Sequence, residues 1–515
     1  MMGLRFYVSK IINKNTSLKL IAFMMVWGAA GLTRNSDASQ IQPFAPIQLS
    51  LKECIKYALE NNFDLKVFSL DPEISRHEIR KSLGIFDPIF FSDLSTNRNT
   101  LPNAFSLSGV TKSIEESRRL NSGLKKRFIT GTDAQINLSV DRLETNSRVQ
   151  LFSSQYTDSI NFTINQNLLR KAGIEINKIP EILARNGYQI SKLEFERKLM
   201  DLILEVQKTY WELVKSKKSL EVNKESLKLA EDLFRQIDVQ VRVGTLPTIE
   251  LIQAEAEVAS RKEAIILAET QVKNLEDELK RLINIDDPIF WEREIIPSDE
   301  PSVTAFKATL DESIGIALQR RPEYLNSKID AESKGLILKL SKNSRYPLLD
   351  LRGTFSLNGL SGKINPNLLT ISIPPKSPFE GDLYDSFDTL SSGDYYTWQI
   401  GIYFEYPIGN RQADATYKQS MLEREKALIN IKNTEQRIIM EVRQTVRDIN
   451  ANLERIEAAK KSRQLAEERL KAEEKKFAVG MSTSYNVFQM QRDLIAAKTE
   501  EIKAIIDYNI SIYRW

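Results

Sequence analysis

Histidine and cysteine are nearly missing from this chain: among 515 residues there is one of each, His77 and Cys54. A lone cysteine excludes an intrachain disulfide framework. One histidine leaves little material for a metal centre or a catalytic triad. Charge of one sign is missing too. The 72 Lys and Arg against 69 Asp and Glu leave a net charge of +3, which marks no nucleic-acid footprint. No phosphate-binding glycine loop, metal-ligand spacing or nucleophile–base pair occurs in the sequence. These absences point away from an enzyme and toward a protein without cofactor, metal or catalytic residues.

Apolar runs long enough to span a membrane comfortably as a helix are also lacking. Leu20 to Leu32 follows Arg5, Lys10, Lys14 and Lys19 and precedes the small residues around Ala38. Its length and flanks fit a secretory signal over residues 1–39, with a retained signal anchor as the rival reading. No cysteine near the cleavage region offers a bacterial lipid anchor. The exported remainder then has no helical membrane span.

What is present is repetition. Val243-Gly244 recurs as Val479-Gly480, and at the same offset Glu205-Val206 pairs with Glu441-Val442, Thr209 with Thr445, and Gln253 with Gln489. A gap-free register of this length indicates an internal duplication. A second offset matches Leu51, Ile55, Ala58 and Leu59 to Leu310, Ile314, Ala317 and Leu318, and Pro88 to Pro347. It also matches Cys54 to Ser313, which makes Cys54 a small packing residue; His77, in a polar helix, reads as surface. The repeat is a half-molecule: helix, helix, strands, long helix, turn, helix. Residues 40–300 form the first repeat, with strands about 86–168 and a helical hairpin about 181–285. Residues 301–515 form the second, with strands about 347–408 and a hairpin about 411–513.

The predicted strands alternate strictly. Tyr396, Trp398, Ile400, Ile402 and Phe404 interleave with Thr397, Gln399, Gly401 and Tyr403; Ile160, Phe162 and Ile164 interleave with Asn161 and Thr163. Period two with one apolar face suits a sheet that touches lipid or a core on one side and water on the other. Four such strands are clear, six at most. Ser95 to Ser122 and Ser361 to Asp394, rich in Ser, Asn, Gly and Pro, read as long exposed loops. Four to six strands are too few to close a membrane barrel, so a spanning sheet must be shared between copies; three copies of four strands would make twelve.

The helices carry the strongest periodicity. Leu199, Val206, Leu213, Leu220, Leu227, Phe234 and Val241 recur every seven residues, and Leu251, Val258, Ile265, Val272 and Leu279 return. Val442, Ile449, Ile456, Leu470 and Phe477 repeat the row in the second half, interrupted by Arg463. Seven-residue spacing means coiled-coil packing. A neighbouring row, Thr209, Ser216, Asn223 and Ala230, is small or polar and gives each helix a second seam. Two seams build sheets or tubes of helices. Glu181 to Val243 alone would rise roughly 95 Å.

This combination resembles the outer-membrane efflux protein family of TolC-like channel-tunnels. The resemblance rests on Leu51 to Leu59, on Gln166-Asn167-Leu168-Leu169-Arg170, on Trp398 to Ile402 running into Tyr406-Pro407-Ile408-Gly409-Asn410-Arg411, and on the twin Val-Gly turns. It implies an α+β membrane protein: a long α-helical coiled-coil barrel, two hairpins per chain, on antiparallel strands that contribute to a shared trimeric transmembrane β-barrel. The family implies four strands per chain, a cell outer membrane location and a periplasmic helical extension. Its members act as passive exit ducts for an inner-membrane efflux pump or ABC exporter, joined through a periplasmic adaptor protein in tripartite efflux or type I secretion.

The resemblance also places Val243, Gly244, Thr245, Val479, Gly480, Met481 and Ser482 at the periplasmic tip, where adaptors dock. Glu250 falls at an aperture position, although a solvated glutamate at a helix N-terminus fits equally. Where well-known members carry acidic residues in the second hairpin, this chain has Asn486 and Gln489, with Ser482 at the position of a closing arginine. An aperture of Glu250, Tyr485, Asn486 and Gln489, with Phe488 beside it and the movement at Gly480, is the expectation. The alternative class is a periplasmic coiled-coil adaptor, which would need one hairpin flanked by a lipoyl-like β domain.

Overall fold

Two helices of more than sixty residues set the scale, and the heptad rows explain why they exist. The computed structural model describes residues 45–102, 110–304, 306, 309–368 and 377–515; the predicted signal segment lies outside them. Pro46–Trp515 forms one unit. Among the described residues no helix is long and apolar enough to cross a membrane.

The chain opens with β1 (Ile47–Leu49) and α1 (Leu51–Asn61). A capping box starts α1: Ser50 Oγ accepts from the Glu53 amide while Glu53 accepts from the Ser50 amide at 2.9 Å. The helical stretch from Leu51 to Phe68 is not one helix. Asn62 breaks it, capping α2 (Phe63–Phe68) through the Leu65 amide and donating to the Leu282 carbonyl. After α3 (Leu70–Leu83) come β2 (Ile89–Pro102), β3 (Lys112–Arg127), β4 (Thr132–Thr145) and β5 (Phe152–Asn167). The one-turn α4 (Ile174–Asn177) leads into α5 (Ile179–Arg242), which turns back as α6 (Thr248–Ile283).

β6 (Ile295–Pro297) closes the first half, and the second runs α7 (Leu310–Arg320), α8 (Pro322–Ser344), β7 (Leu348–Ile364), α9 (Leu383–Ser391), β8 (Tyr396–Glu405), α10 (Arg411–Ala478) and α11 (Ser484–Arg514). Pro322 sits in the first turn of α8, where its missing amide hydrogen leaves no helical bond unmade. Pro88 and Pro347 each precede a strand, because the pre-proline restriction disfavours helix there.

The sheet exceeds the four strands that the resemblance implies and reaches the six that alternation allowed at most. One six-stranded antiparallel sheet has the order β2-β3-β4-β5-β7-β8. Ser95 to Ser122, expected as a loop, is largely a hairpin paired from Ile89↔Lys125 to Pro102↔Lys112. Its outer half is polar on both faces, which hid the period. Ser361 to Asp394 likewise contains the end of β7 and α9, which Asp382 and Asp385 start with a second capping box.

The ladder places Phe90, Leu124, Ile136, Phe162, Phe355 and Trp398 in one row across all six strands. On the opposite face the next row is Phe91, Gly123, Asn137, Asn161, Ser356 and Thr397. That face is tied by Asn137 to Asn121 at 3.0 Å and Ser356 to Asn161 at 2.5 Å. The apolar face stays open: Phe90 is 68 %, Ile400 70 % and Ile402 71 % exposed. Farther along β5 and β7, α9 covers it. There Gly359 is required, since a Cβ would lie 2.2 Å from the Ser386 carbonyl.

The main core lies partway along α5. Val206, Tyr210, Leu213 and Val214 pack with Leu51, Cys54, Ala58, Leu279 and Ile283. In the second half α7, through Leu310 and Ile314, packs on Ile438, Val442 and Val446 of α10. Two tyrosines strap the segment joining the halves: Tyr210 Oη donates to Asp299 at 2.9 Å, and Tyr508 Oη donates to the Thr304 carbonyl at 2.7 Å. Trp515 ends the chain by donating from Nε1 to Ser313 at 2.9 Å and packing edge-on against Phe306. Arg463, the interruption in the heptad row, is neutralised by Glu467 and Glu501.

Cys54 is fully buried, and desolvation, then the Glu53 and Asp299 charges, pushes its thiol up to about 12. A raised thiol pKa leaves almost no thiolate at neutral pH. Native protein should therefore resist iodoacetamide near neutral pH and label only after denaturation, read by mass spectrometry. Rapid native labelling would contradict the buried position.

Candidate functional site

The two helical hairpins end in the same backbone device. Val243 closes α5; Gly244 donates to the Val241 carbonyl at 3.0 Å and Thr245 to Gln240 at 2.9 Å. Val479 closes α10; Gly480 donates to Phe477 at 3.0 Å and Met481 to Lys476 at 2.8 Å. Both are Schellman caps, whose glycine must take the left-handed conformation. Gly244 has φ 81° and Gly480 φ 75°, and nothing lies within 4 Å of a Cβ built on either. Backbone conformation, not crowding, selects glycine here.

The turns are open surfaces. Val243, Val479 and Met481 are respectively 68 %, 70 % and 78 % exposed, and Thr245 is exposed beside them. Past the turns the hairpins differ. Pro247, in extended conformation, precedes α6, whereas Thr483 precedes α11. Ser482 donates to Glu473 at 2.6 Å and accepts a longer bond from Asn486 at 3.4 Å. The Ser482 hydroxyl, then the Lys476 ammonium, holds the Glu473 carboxyl below its ordinary value.

Glu250 does not stand free. It is half-buried and accepts from Ser484, so it joins the first hairpin to the second. Further along, Arg492 pairs with Glu257, which also holds Arg261 at 3.3 Å. Burial, together with the neighbouring Arg492 charge, lowers the Arg261 pKa against the pull of Glu257. Arg492 also lies over the exposed Tyr485 ring and donates to Gln489 at 2.7 Å. Gln489 in turn donates to Asp493 at 3.0 Å. Asn486 and Tyr485 face outward.

Phe488 corrects the sequence reading. It is 2 % exposed and packs with Ala230, Leu233, Ile237, Ala254, Leu470 and Phe477 in a core that glues the two hairpins together. Its place on the α5-facing side of α11 removes it from any aperture. Sequence reasoning missed Ser484, Glu257 and Arg492. Their partners lie 234 and 235 residues away, and no linear pattern pairs residues at that separation.

The sequence model of the outer membrane efflux protein family matches residues 135–284 and 314–511, most of both halves. The chain belongs to that family. It is a family of channels, not of enzymes. Among solved structures, the fold is similar to a membrane protein from Pseudomonas aeruginosa, at 16 % identity and TM-score 0.66, covering 94 % of this chain and 98 % of that one. It is similar also to the Campylobacter jejuni CmeC outer membrane channel, at 18 % identity and TM-score 0.64, covering 95 % and 93 %. The Vibrio cholerae outer membrane protein VceC matches at 13 % identity and TM-score 0.62, covering 90 % and 94 %. At these identities the likeness is one of fold. No curated protein matches the chain significantly.

Gly480→Ala should strain the cap by about 1 kcal/mol, a roughly fivefold rise in local opening. Amide exchange at the Met481 turn would report it. Gly187→Ala, inside α5 with open space around its Cβ, should give no such loosening. The combined change Ser484→Ala with Arg492→Gln should broaden the distance distribution between spin labels on Thr245 and Met481. An unchanged distribution would mean that the apolar core alone couples the hairpins.

Proposed function

We propose that this protein is the outer-membrane exit duct of a tripartite efflux or type I secretion system. The observation that carries the reading is the open six-stranded sheet. Its apolar face is exposed, both edges are unpaired among the described residues, and helices of 64 and 68 residues continue from it. An apolar sheet face is stable against lipid, and open edges in lipid are not. The sheet therefore belongs in a barrel shared between copies, a homotrimer as is general in this family. Helices that rise roughly 100 Å match the depth of a periplasm.

In this reading the polar face of the sheet lines the pore, and the helices extend it toward the inner membrane. The tips formed by Val243, Gly244, Thr245, Val479, Gly480, Met481 and Ser482 dock a periplasmic adaptor protein. An inner-membrane pump or ABC exporter supplies the energy, and the duct conducts passively. Tyr485, Asn486 and Gln489 line the aperture, while Glu250 holds the first hairpin to the second through Ser484. Opening moves the second hairpin about Gly480, whose polar Ser482-Thr483-Ser484 entry lacks the stiffening of Pro247.

The test is fractionation followed by native electrophoresis, with photocrosslinkers at Thr245 and Met481. The expected result is a detergent-requiring, heat-modifiable trimer in outer-membrane fractions that captures an adaptor from both positions. A soluble monomer would overturn the reading.

A further inference from the structure

The family resemblance implies four barrel strands per chain, and the sheet formed by the described residues has six. The additional pair is the β2–β3 hairpin. Its outward residues continue the apolar rows of the other four strands, with Phe90 and Leu124 in register with Ile136, Phe162, Phe355 and Trp398. The hairpin is also fixed in place. β3 pairs with β4 from Glu115↔Thr145 to Arg127↔Asp133, and Arg127 holds Asp133 at 2.7 Å. The outer edge of β4 is thus occupied and has no hydrogen-bonding groups left for a neighbouring copy.

Among the described residues the free edges are β2 and β8. Six strands alternate in direction, so the first and last run opposite ways, and a rotation that brings β2 of one copy beside β8 of the next makes an antiparallel pair. Both edges carry outward apolar side chains, Phe90 and Leu94 on β2, Trp398 and Ile402 on β8. Both therefore lie at the level of lipid, where an unpaired edge is not tolerated.

We propose that β2 pairs with β8 of a second copy of this chain, so that three copies of the six-stranded sheet close a barrel of eighteen strands. This rests on the trimeric duct reading and goes beyond it in naming which edges meet and how wide the exit is. Barrel diameter grows about linearly with strand number, so the bore is about one and a half times that of a twelve-stranded barrel. The inserted hairpin also brings charge to the pore face, with Asp93, Arg119 and Lys125 among the polar residues. The outer membrane then imposes no narrow filter, and the restriction lies at the helical tips.

The experiment uses the full chain in a Cys54→Ser background. Ser95→Cys on the pore face of β2 is combined in turn with Thr397→Cys, Gln399→Cys and Gly401→Cys on β8, and each variant is oxidised in outer membranes. The same β8 positions are combined with Ser139→Cys on β4. The expected result is disulfide-linked oligomers from the β2–β8 pairs and none from the β4–β8 pairs. Electron cryomicroscopy of the trimer in lipid nanodiscs should count eighteen strands. Crosslinking through β4, or a count of twelve, with the trimer intact would overturn the proposal and leave the duct reading standing. Absence of any oligomer on native gels would overturn the duct reading and this proposal with it.

Discussion

The packing of α5 on both of its seams is the interaction on which the rest of the structure depends. One seam, through Val206 and Leu213, meets α1, β1 and the end of α6; the small row, with Thr209, Ser216 and Ala230 all buried, admits a second neighbour. α6 and α11 flank it, and α3 and α8 pack along its upper length. A continuous helix of 64 residues has little intrinsic stability in water, and its burial on several sides is what keeps it straight and single. Because it is continuous, the sheet at one end and the turns at the other are held in a fixed relation.

The same logic explains why the halves are not interchangeable. The first half carries β1 and β6 as a small parallel pair and four strands of the sheet; the second carries two strands and α9. The segment between them is strapped to α5 by Tyr210 and to α11 by Tyr508, so each half anchors the connection through a buried hydroxyl. A buried tyrosine without such a partner would carry a desolvation cost, and here burial raises the Tyr210 pKa well above its ordinary value. At the tip, an apolar core around Phe488 and the polar links from Glu250 and Glu257 join hairpins that the chain makes far apart.

The sheet poses the opposite problem. Its polar face satisfies itself with ladders of Asn and Ser, while its other face offers aromatic and aliphatic side chains to the surroundings. Such a surface needs an apolar partner over its whole width, and the edges need hydrogen bonds that the described residues do not supply.

The sequence by itself determined the long helices, since a seven-residue period over nine turns and more has no other stable outcome. It also determined the glycine turns, because two helices must reverse and only glycine takes the required φ without strain. Alternation made β5, β7 and β8 legible where both faces keep their character, as at Tyr396 to Phe404. It failed for β2 and β3, because Ser95 to Asn99 and Glu115 to Arg119 are polar on both faces and only their pairing makes them strands. The tertiary structure alone decided that Phe488 is core, that Glu250 meets Ser484, and that Arg492 meets Glu257. Those contacts depend on the lateral register of four helices, and register between distant segments is set by packing and leaves no period in the chain.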